Sequence, residues 1–341
     1  MSAQYGKVDT GFVTSLRRLL GSRVFWCEDS QSREVIEENS RDQSFHSPAA
    51  PDVVVYPNTP EEVASILKLC NDARVPVVSR GAGTGVEGGA IPYKGGVVLN
   101  TENFQKIEVF IEDMIARVGV GVKKLQLNKE LEKHGVLFGP DPSSNPCLGG
   151  MVSTSGSGMS TPKYGTTREN VVSLTVVTPE GRIVKTRQEV RKSSTGYDLT
   201  QLYIGSEGTL GVVCEVVVKL RPIPTVRSGA LVRFASVEQA ANAVIGIIRC
   251  NLTSLARCEL LNADGVRATN EVFKTTLEVV PTLMLEFQAE DPGHLASDYA
   301  KAKEQAERFQ AMRCEYCASG ADIDDMWEAR RGCYPAAMSY R

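Results

Sequence analysis

The sequence predicts an α+β protein of two domains, and three observations carry that expectation. Apolar runs of strand length alternate with amphipathic stretches of helical spacing. Three glycine- and hydroxyl-rich segments, residues 80–89, 139–158 and 205–211, are set among those runs. The stretch Arg221-Pro222-Ile223-Pro224 reads as a linker, and the composition changes beyond it. With 341 residues the chain is long enough for two cores, and 42% hydrophobic and 23% charged residues mark a globular protein rather than a disordered one. A net charge of -3 gives no basic surplus for nucleic acid. No stretch is apolar for long enough to span a bilayer, and no secretory signal is visible. Nine scattered cysteines, an odd number, make no disulfide framework and point to a reducing compartment.

Residues 1–50 read as a helical lead-in. The segment Phe12–Leu20, with Arg17 and Arg18, is either an amphipathic transit peptide or the first helix of the domain. Glu28, Asp29 and Glu34 close behind it favour the helix. Residues 51–224 form the first domain. Asp52–Pro57 is a buried strand, and Thr59-Pro60-Glu61-Glu62 is a capping box with proline at the first helical position. Val63, Ile66, Leu67 and Cys70 then predict a helix over 60–72. Strands follow at 75–79, 96–100, 115–120, 171–178, 182–186 and 212–220, with a helix over 123–134 stopped by Gly135. Residues 225–341 form a smaller domain: strands near 229–234, 255–261 and 282–288, and helices over 237–249 and 294–312.

Residues 80–89 read RGAGTGVEGG, and Gly83, Gly85 and Gly88 match G-x-G-x-x-G by letters. A nicotinamide-binding loop of that kind opens a helix whose N-terminus holds the pyrophosphate. Here Ile91, Pro92, Gly95 and Gly96 follow instead, and no acidic ribose ligand stands at the end of a second strand. A Walker loop fails as well, for want of a terminal Gly-Lys-Ser/Thr. A mobile turn does not explain the position directly after a buried strand, with Arg80 at the entrance. Successive glycine N–H groups can form a nest for an anion without a helix, and a diphosphate fits it. Small residues in the other two segments let the backbone approach a flat ligand. Together the three read as one elongated dinucleotide site. Cys314-x-x-Cys317 has redox or zinc spacing but no second pair or nearby histidine. The three histidines, His46, His134 and His294, stand apart and read as structural or solvated, so no metal site is expected.

RGAGTGVEGG, LGGMVSTSGSGMSTPKYGTTRENV and KSSTGYDLTQLYIGSEGTLGVV resemble the FAD-binding domain of the vanillyl-alcohol-oxidase-type (PCMH-type) flavoproteins. Leu148–Met151 with Tyr164–Thr166 and Gly205–Gly211 is most similar to the cytochrome-dependent D-lactate dehydrogenases, a D-2-hydroxyacid dehydrogenase type. The resemblance implies a PCMH-type FAD-binding domain of two α+β subdomains and a partial ferredoxin-like α+β cap. It assigns Arg80, Gly81, Ala82, Gly83, Thr84, Gly85, Gly88 and Gly89 to the FAD diphosphate. Pro140, Asp141, Gly149, Gly150, Thr154, Ser155, Ser157 and Gly158 would line the ribityl chain and flavin edge, with Tyr164 and Gly165 beside them. Glu207, Gly208, Gly211 and Val212 would close the other side. Some relatives attach flavin through a histidine in the first loop; this loop has none, which implies non-covalent FAD.

The resemblance further implies oxidation of a D-2-hydroxy acid, D-lactate to pyruvate, by hydride transfer to flavin N5. Electrons then pass to cytochrome c or another acceptor. Arg330, in Met326-Trp327-Glu328-Ala329-Arg330, matches a W-x-x-R segment whose arginine meets the substrate carboxylate; the plain alternative is a solvated helix charge. A mitochondrial location is implied, with the cytoplasm as the alternative, and a homodimer is left open. Family members carry later H-x-G-D-G-N and H-G-E-H-G-like stretches that supply the general base and, in many, ligands for a divalent metal. Neither stretch precedes Arg341. The expectation is therefore a C-terminally truncated form, slow or inactive, with its base unassigned and a metal only in a longer form. Two other readings are a non-catalytic flavin-binding or interaction module and an alkyl-glycerone-phosphate-synthase-like transferase. The latter is opposed by the lack of an extra basic cluster in the cap.

Overall fold

Asp9 begins the first helix by accepting the Phe12 N–H at 2.8 Å. This helix, α1 (Thr10–Leu20), buries Phe12, Val13, Leu16 and Leu20 along one face, so the segment is a core helix. A computed structural model provides these coordinates and describes residues 5–190, 192–318 and 320–331. The chain divides into two units. One takes the described residues up to Phe138 with Ser144–Ser157 and Thr166–Pro222. The other takes Gly139–Ser143, Gly158–Gly165 and the described residues from Ile223 onward.

Among the described residues the first unit contains two main sheets and one two-stranded pairing. β1 (Val24–Trp26), α2 (Arg33–Glu38), β2 (Val53–Val55), α3 (Pro60–Ala73), β3 (Val77–Arg80) and β4 (Val97–Asn100) build a sheet of order β1-β2-β4-β3. β4 runs parallel to both β2 and β3, while β1 is antiparallel to β2. The stretch before residue 51 thus adds an edge strand as well as helices. Val53–Val55 and Val97–Leu99 are all buried, as continuous apolar strands covered on both faces should be. Thr59 caps α3 through the Glu62 N–H at 3.2 Å, and Arg74, at φ 56°, ends it.

The second sheet draws on a longer stretch: β5 (Ile107–Phe110), β6 (Ile115–Gly119), α4 (Lys124–Glu132), β7 (Val136–Leu137), α5 (Leu148–Ser153), α6 (Thr161–Tyr164), α7 (Thr167–Asn170), β8 (Val171–Val177), β9 (Ile183–Lys185), α8 (Leu199–Tyr203) and β10 (Val212–Lys219). α6 belongs to the other unit. The strand order is β5-β6-β10-β8-β9, antiparallel throughout. Ile66 of α3, Leu99, Val118, Leu148 and Val216 join one core between the two sheets. The expected linker differs: β11 (Arg221–Pro222) pairs with β7 before the chain leaves the unit. Proline is tolerated there because a two-residue edge pairing leaves its missing N–H unneeded.

The second unit follows as β12 (Val226–Arg233), α9 (Val237–Arg249), β13 (Leu255–Leu261), α10 (Ala263–Phe273), β14 (Thr282–Ala289), α11 (Pro292–Arg308), β15 (Arg313–Cys317) and α12 (Gly320–Arg331). Its sheet has the order β13-β14-β12-β15, all antiparallel. Strand and helix succession and this order make a ferredoxin-like β-α-β-β-α-β unit with all four strands, where a partial one was expected. α9 and α11 pack Ala243, Ile247, Leu295 and Ala302 on Val232, Leu285 and Phe287. The other sheet face meets Met159, Val266, Ile323, Met326 and Trp327. α11 starts two residues before the expected point because Asp291 caps it and Pro292 fills its first turn. Cys314 joins the helix-side cluster and Cys317 the opposite one. A three-residue spacing on a strand points the two thiols to different faces, so this pair has neither disulfide nor zinc geometry.

Arg23 donates to both Glu62 oxygens, at 2.7 and 2.6 Å. That bond holds the Glu62 carboxyl below its ordinary range. A carboxyl lowered in the folded state stabilises the fold above its unfolded pKa of about 4.3, and the contribution fades as pH falls through the folded value. Glu62→Gln should therefore lower the urea midpoint near neutral pH. It should also flatten the loss of stability below about pH 4.3 relative to the parent; equilibrium unfolding at a series of pH values measures both.

Candidate functional site

The glycine loop leaves the carboxyl end of β3, a strand held in register by β4. Arg80 closes that strand. Its guanidinium donates to the Arg41 carbonyl at 2.6 Å and the Glu38 carbonyl at 3.1 Å. Burial draws its pKa below the ordinary value. The side chain is thus a strut that fixes the loop's entrance; any part in anion binding falls to its backbone. A Cβ on Gly83 would lie 2.3 Å from Arg80 Nη2, and one on Gly81 would lie 2.1 Å from Cys147 Sγ. A side chain at either position requires Cys147 or Arg80 to shift. Among the described residues, no backbone N–H from residue 81 to residue 90 donates to a protein acceptor. Residues 85–87 and 89 are exposed, so their amides are open to solvent or to a ligand. A cavity of about 100 Å³ at the loop's base is lined by Asn39, Arg80, Gly81, Ala82, Asn100 and Lys123, among others.

The other two segments close on this loop within the first unit. Cys147 opens α5, its sulfur accepting the Gly150 N–H at 3.4 Å. Gly149 donates to the Val120 carbonyl at 2.9 Å, and a Cβ there would stand 2.9 Å from the Val120 side chain. Thr154 turns its hydroxyl back to the Gly150 carbonyl. The third segment joins the end of α5 directly: Gly205 donates to Val152 at 3.0 Å and Glu207 to Ser153 at 2.9 Å. A Cβ on Gly208 would be 2.8 Å from Ser79 Oγ, and one on Gly89 would be 3.9 Å from the Glu207 carboxylate. Arg168 fixes the approach by donating to the carbonyls of Gln201 and Ile204 at 3.0 and 2.6 Å. Ser155 and Glu207 have φ of 49° and 51°, left-handed conformations in which non-glycine residues are uncommon. The fold therefore unites residues 81–89, Gly149, Gly150, Thr154, Ser155, Glu207 and Gly208, as the sequence suggests.

Other expected residues are placed differently. Gly211, at φ 152°, has room for a Cβ only 2.5 Å from the Val177 carbonyl, and Val212 lies in the core at 5% exposure. Both serve the packing of β10. Ser157 is exposed at the end of its segment. Pro140, Asp141, Gly158, Tyr164 and Gly165 belong to the second unit. There Asp141 pairs with Arg257 at 2.5 Å, and the Tyr164 hydroxyl bonds Gln288 Oε1 at 2.7 Å. A Cβ on Gly158 would fall 2.0 Å from the Asp141 carbonyl. Arg330 is paired too: its Nη2 and Nε donate to Glu259 Oε2 at 2.7 and 3.0 Å.

His46 lies against the glycine loop, its Cδ2 2.8 Å from a Cβ built on Gly88. It also stacks on Phe45 at 4.3 Å. Sequence spacing could not bring a residue 42 positions away to that loop. His294 Nε2 sits 3.2 Å from Asp298, on its own helix, and His134 follows α4. Among the described residues no three metal-ligating side chains gather. Glu259 and Arg257, ordinary strand charges by sequence, gain partners only from the fold.

The loop fits FAD. Its unpaired amides suit a diphosphate, and the places where a Cβ would collide let backbone alone face the ligand. One mixed and one antiparallel sheet bearing such a cradle, in a chain that also holds a ferredoxin-like unit, define a PCMH-type flavoprotein. Comparison with known proteins agrees. Residues 51–187 match the family "FAD binding domain", and residues 223–341 match "FAD linked oxidases, C-terminal domain". The chain is 35% identical to an Arabidopsis thaliana protein named mitochondrial D-lactate dehydrogenase [cytochrome], over 100% of this chain and 60% of that one. It is 33% identical to a Danio rerio probable mitochondrial D-lactate dehydrogenase, over 96% of this chain and 66% of that one. The solved structure of an alkyldihydroxyacetonephosphate synthase superposes with a TM-score of 0.78 at 20% identity, covering 100% of this chain and 66% of that one. That likeness concerns fold. The chain thus spans about 60% of the length of the first of these relatives. It belongs to the FAD-linked oxidase family, and FAD is its cofactor.

Gly81→Ala places a methyl group into the Cys147 sulfur. The variant should lose most of its bound flavin while its far-ultraviolet circular dichroism stays near the parent's. The flavin-to-protein absorbance ratio after gel filtration reads the effect.

Proposed function

We propose that the chain is the cofactor- and carboxylate-binding part of an FAD-dependent D-2-hydroxy acid dehydrogenase that oxidises D-lactate to pyruvate. One observation carries this reading: relatives named D-lactate dehydrogenase, at 31–35% identity, match 94–100% of the chain. Bound FAD supplies the hydride acceptor for the C2 hydrogen of such a substrate. The protein's work is to hold and orient. The amides of residues 81–90 donate to the diphosphate, and α5 with the 205–208 turn keeps that loop in place. FAD is held non-covalently, since residues 81–89 include no histidine.

In the second unit, Arg330 receives the substrate carboxylate. A guanidinium edge presents two parallel N–H donors that match two carboxylate oxygens, which fixes the acid's direction as well as its charge. Removal of the hydroxyl proton is worth about 10²–10⁴-fold in rate, and no residue of this chain is assigned to it. The names of the relatives support a mitochondrial location and a cytochrome as the electron acceptor.

The test is spectroscopic. The FAD-loaded protein is mixed anaerobically with D-lactate, and its visible flavin absorbance is followed. The reading expects bleaching with D-lactate and much slower bleaching with L-lactate. Arg330→Gln should raise the D-lactate concentration for half-maximal rate about tenfold or more, since a charge-assisted bidentate contact is worth about 1.5–3 kcal/mol. Flavin that remains oxidised with D-lactate and with other D-2-hydroxy acids contradicts the assignment.

A further inference from the structure

Two arginines stand over the sheet face of the second unit that lies opposite α9 and α11, and their surroundings differ. Arg257, on β13, is held by Glu286 at 3.0 Å, by Asp141 at 2.5 Å and by Ser160 Oγ at 3.0 Å. Its guanidinium also lies 5.0 Å over the Trp327 ring. The Glu286 side chain is only 1% exposed and that of Arg257 15%, so this group is locked in the structure. Removing one member would strand a buried charge.

Arg330 has a looser arrangement. Its Nε and Nη2 both donate to one oxygen, Glu259 Oε2, at 3.0 and 2.7 Å. The two side chains are 28% and 22% exposed. Two donors on a single oxygen is not the parallel fork geometry that makes arginine–carboxylate pairs strong, and solvent access keeps the pair cheap to open. Trp327 precedes Arg330 by three residues and so shares its face of α12. Its buried indole N–H has no acceptor among the described residues. This part of α12 thus combines a weakly held guanidinium edge with an unsatisfied donor.

We propose that Glu259 is an internal stand-in for the substrate carboxylate: it occupies the Arg330 edge in the free protein and is displaced when a carboxylate ligand binds. The inference rests on the assignment of Arg330 given above. Two carboxylates cannot share that edge, because their charges repel and the donors are only two. Glu259 therefore sets the affinity of the site. A simple carboxylate gains little by replacing another carboxylate, whereas a 2-hydroxy or 2-oxo acid brings an added polar group. Glu259 is on this account a specificity-determining residue, not a catalytic one.

Titration calorimetry of the FAD-loaded protein with pyruvate tests this, because a 2-oxo acid does not reduce oxidised flavin. Glu259→Gln keeps the side chain's size and removes its charge; it should bind pyruvate about tenfold more tightly than the parent. Glu259→Ala should show a gain in the same direction, and both should keep the parent's flavin content and melting temperature within a few degrees. A residue that merely positions Arg330 would give weaker binding in both. The gain should vanish in the double variant Glu259→Gln/Arg330→Gln. No tighter binding in either single variant, including no binding by any protein, overturns the role of Glu259. A gain that survives in the double variant overturns the assignment of Arg330 instead.

Discussion

Backbone N–H groups need acceptors, and among the described residues none accepts from the amides of Gly81 to Ala90. That constraint organises the first unit. The parallel pairing of β3 with β4 delivers the loop at a strand end, and the Arg80 strut pins its entrance to the carbonyls of Glu38 and Arg41. α5 and the 205–208 turn then wall the loop without bonding its amides, using bonds to Val152 and Ser153 instead. Left to themselves the amides would face water. A diphosphate, with many oxygens and two negative charges, would satisfy them at once, as we propose. The absence of side chains at Gly81 and Gly83 is what lets it approach.

Sequence reading reached far here because the strong signals are local. Glycines at which a Cβ would fall within about 2–3 Å of a neighbour appear as glycine-rich text, and capping at Thr59-Pro60 is a matter of adjacent residues. The βα alternation located nearly every strand of the two larger sheets. Short elements escaped: β1, β5 and α8 are three to five residues long and lack a full period of any pattern. α10, α12 and β15 escaped for another reason. Their few apolar residues, such as Val266 in α10 and Ile323, Met326 and Trp327 in α12, stand among charged and small ones, and only the fold shows them packed on the sheet.

The site divides along the same line. The fold brings residues 81–89, Gly149, Gly150, Glu207 and Gly208 together, and their glycine-rich text marks the close backbone approaches that do so. Gly211 and Val212 carry the same motif letters, yet the fold uses them to pack β10. Side-chain partnerships were invisible. Asp141 with Arg257, Glu259 with Arg330, and His46 against Gly88 each join residues that nothing in the spacing connects. A charge on a strand reads as a solvated charge until the fold shows what stands opposite it.

Amide hydrogen exchange across the glycine loop, with and without FAD, measures the central claim most directly. In the FAD-free protein the amides of residues 81–90 should exchange fast, because among the described residues no acceptor protects them. On saturation with FAD they should slow by one to several orders of magnitude, while the strands β2 and β4 change little. Stoichiometric FAD binding that leaves those amides unprotected would contradict the account and place the diphosphate elsewhere.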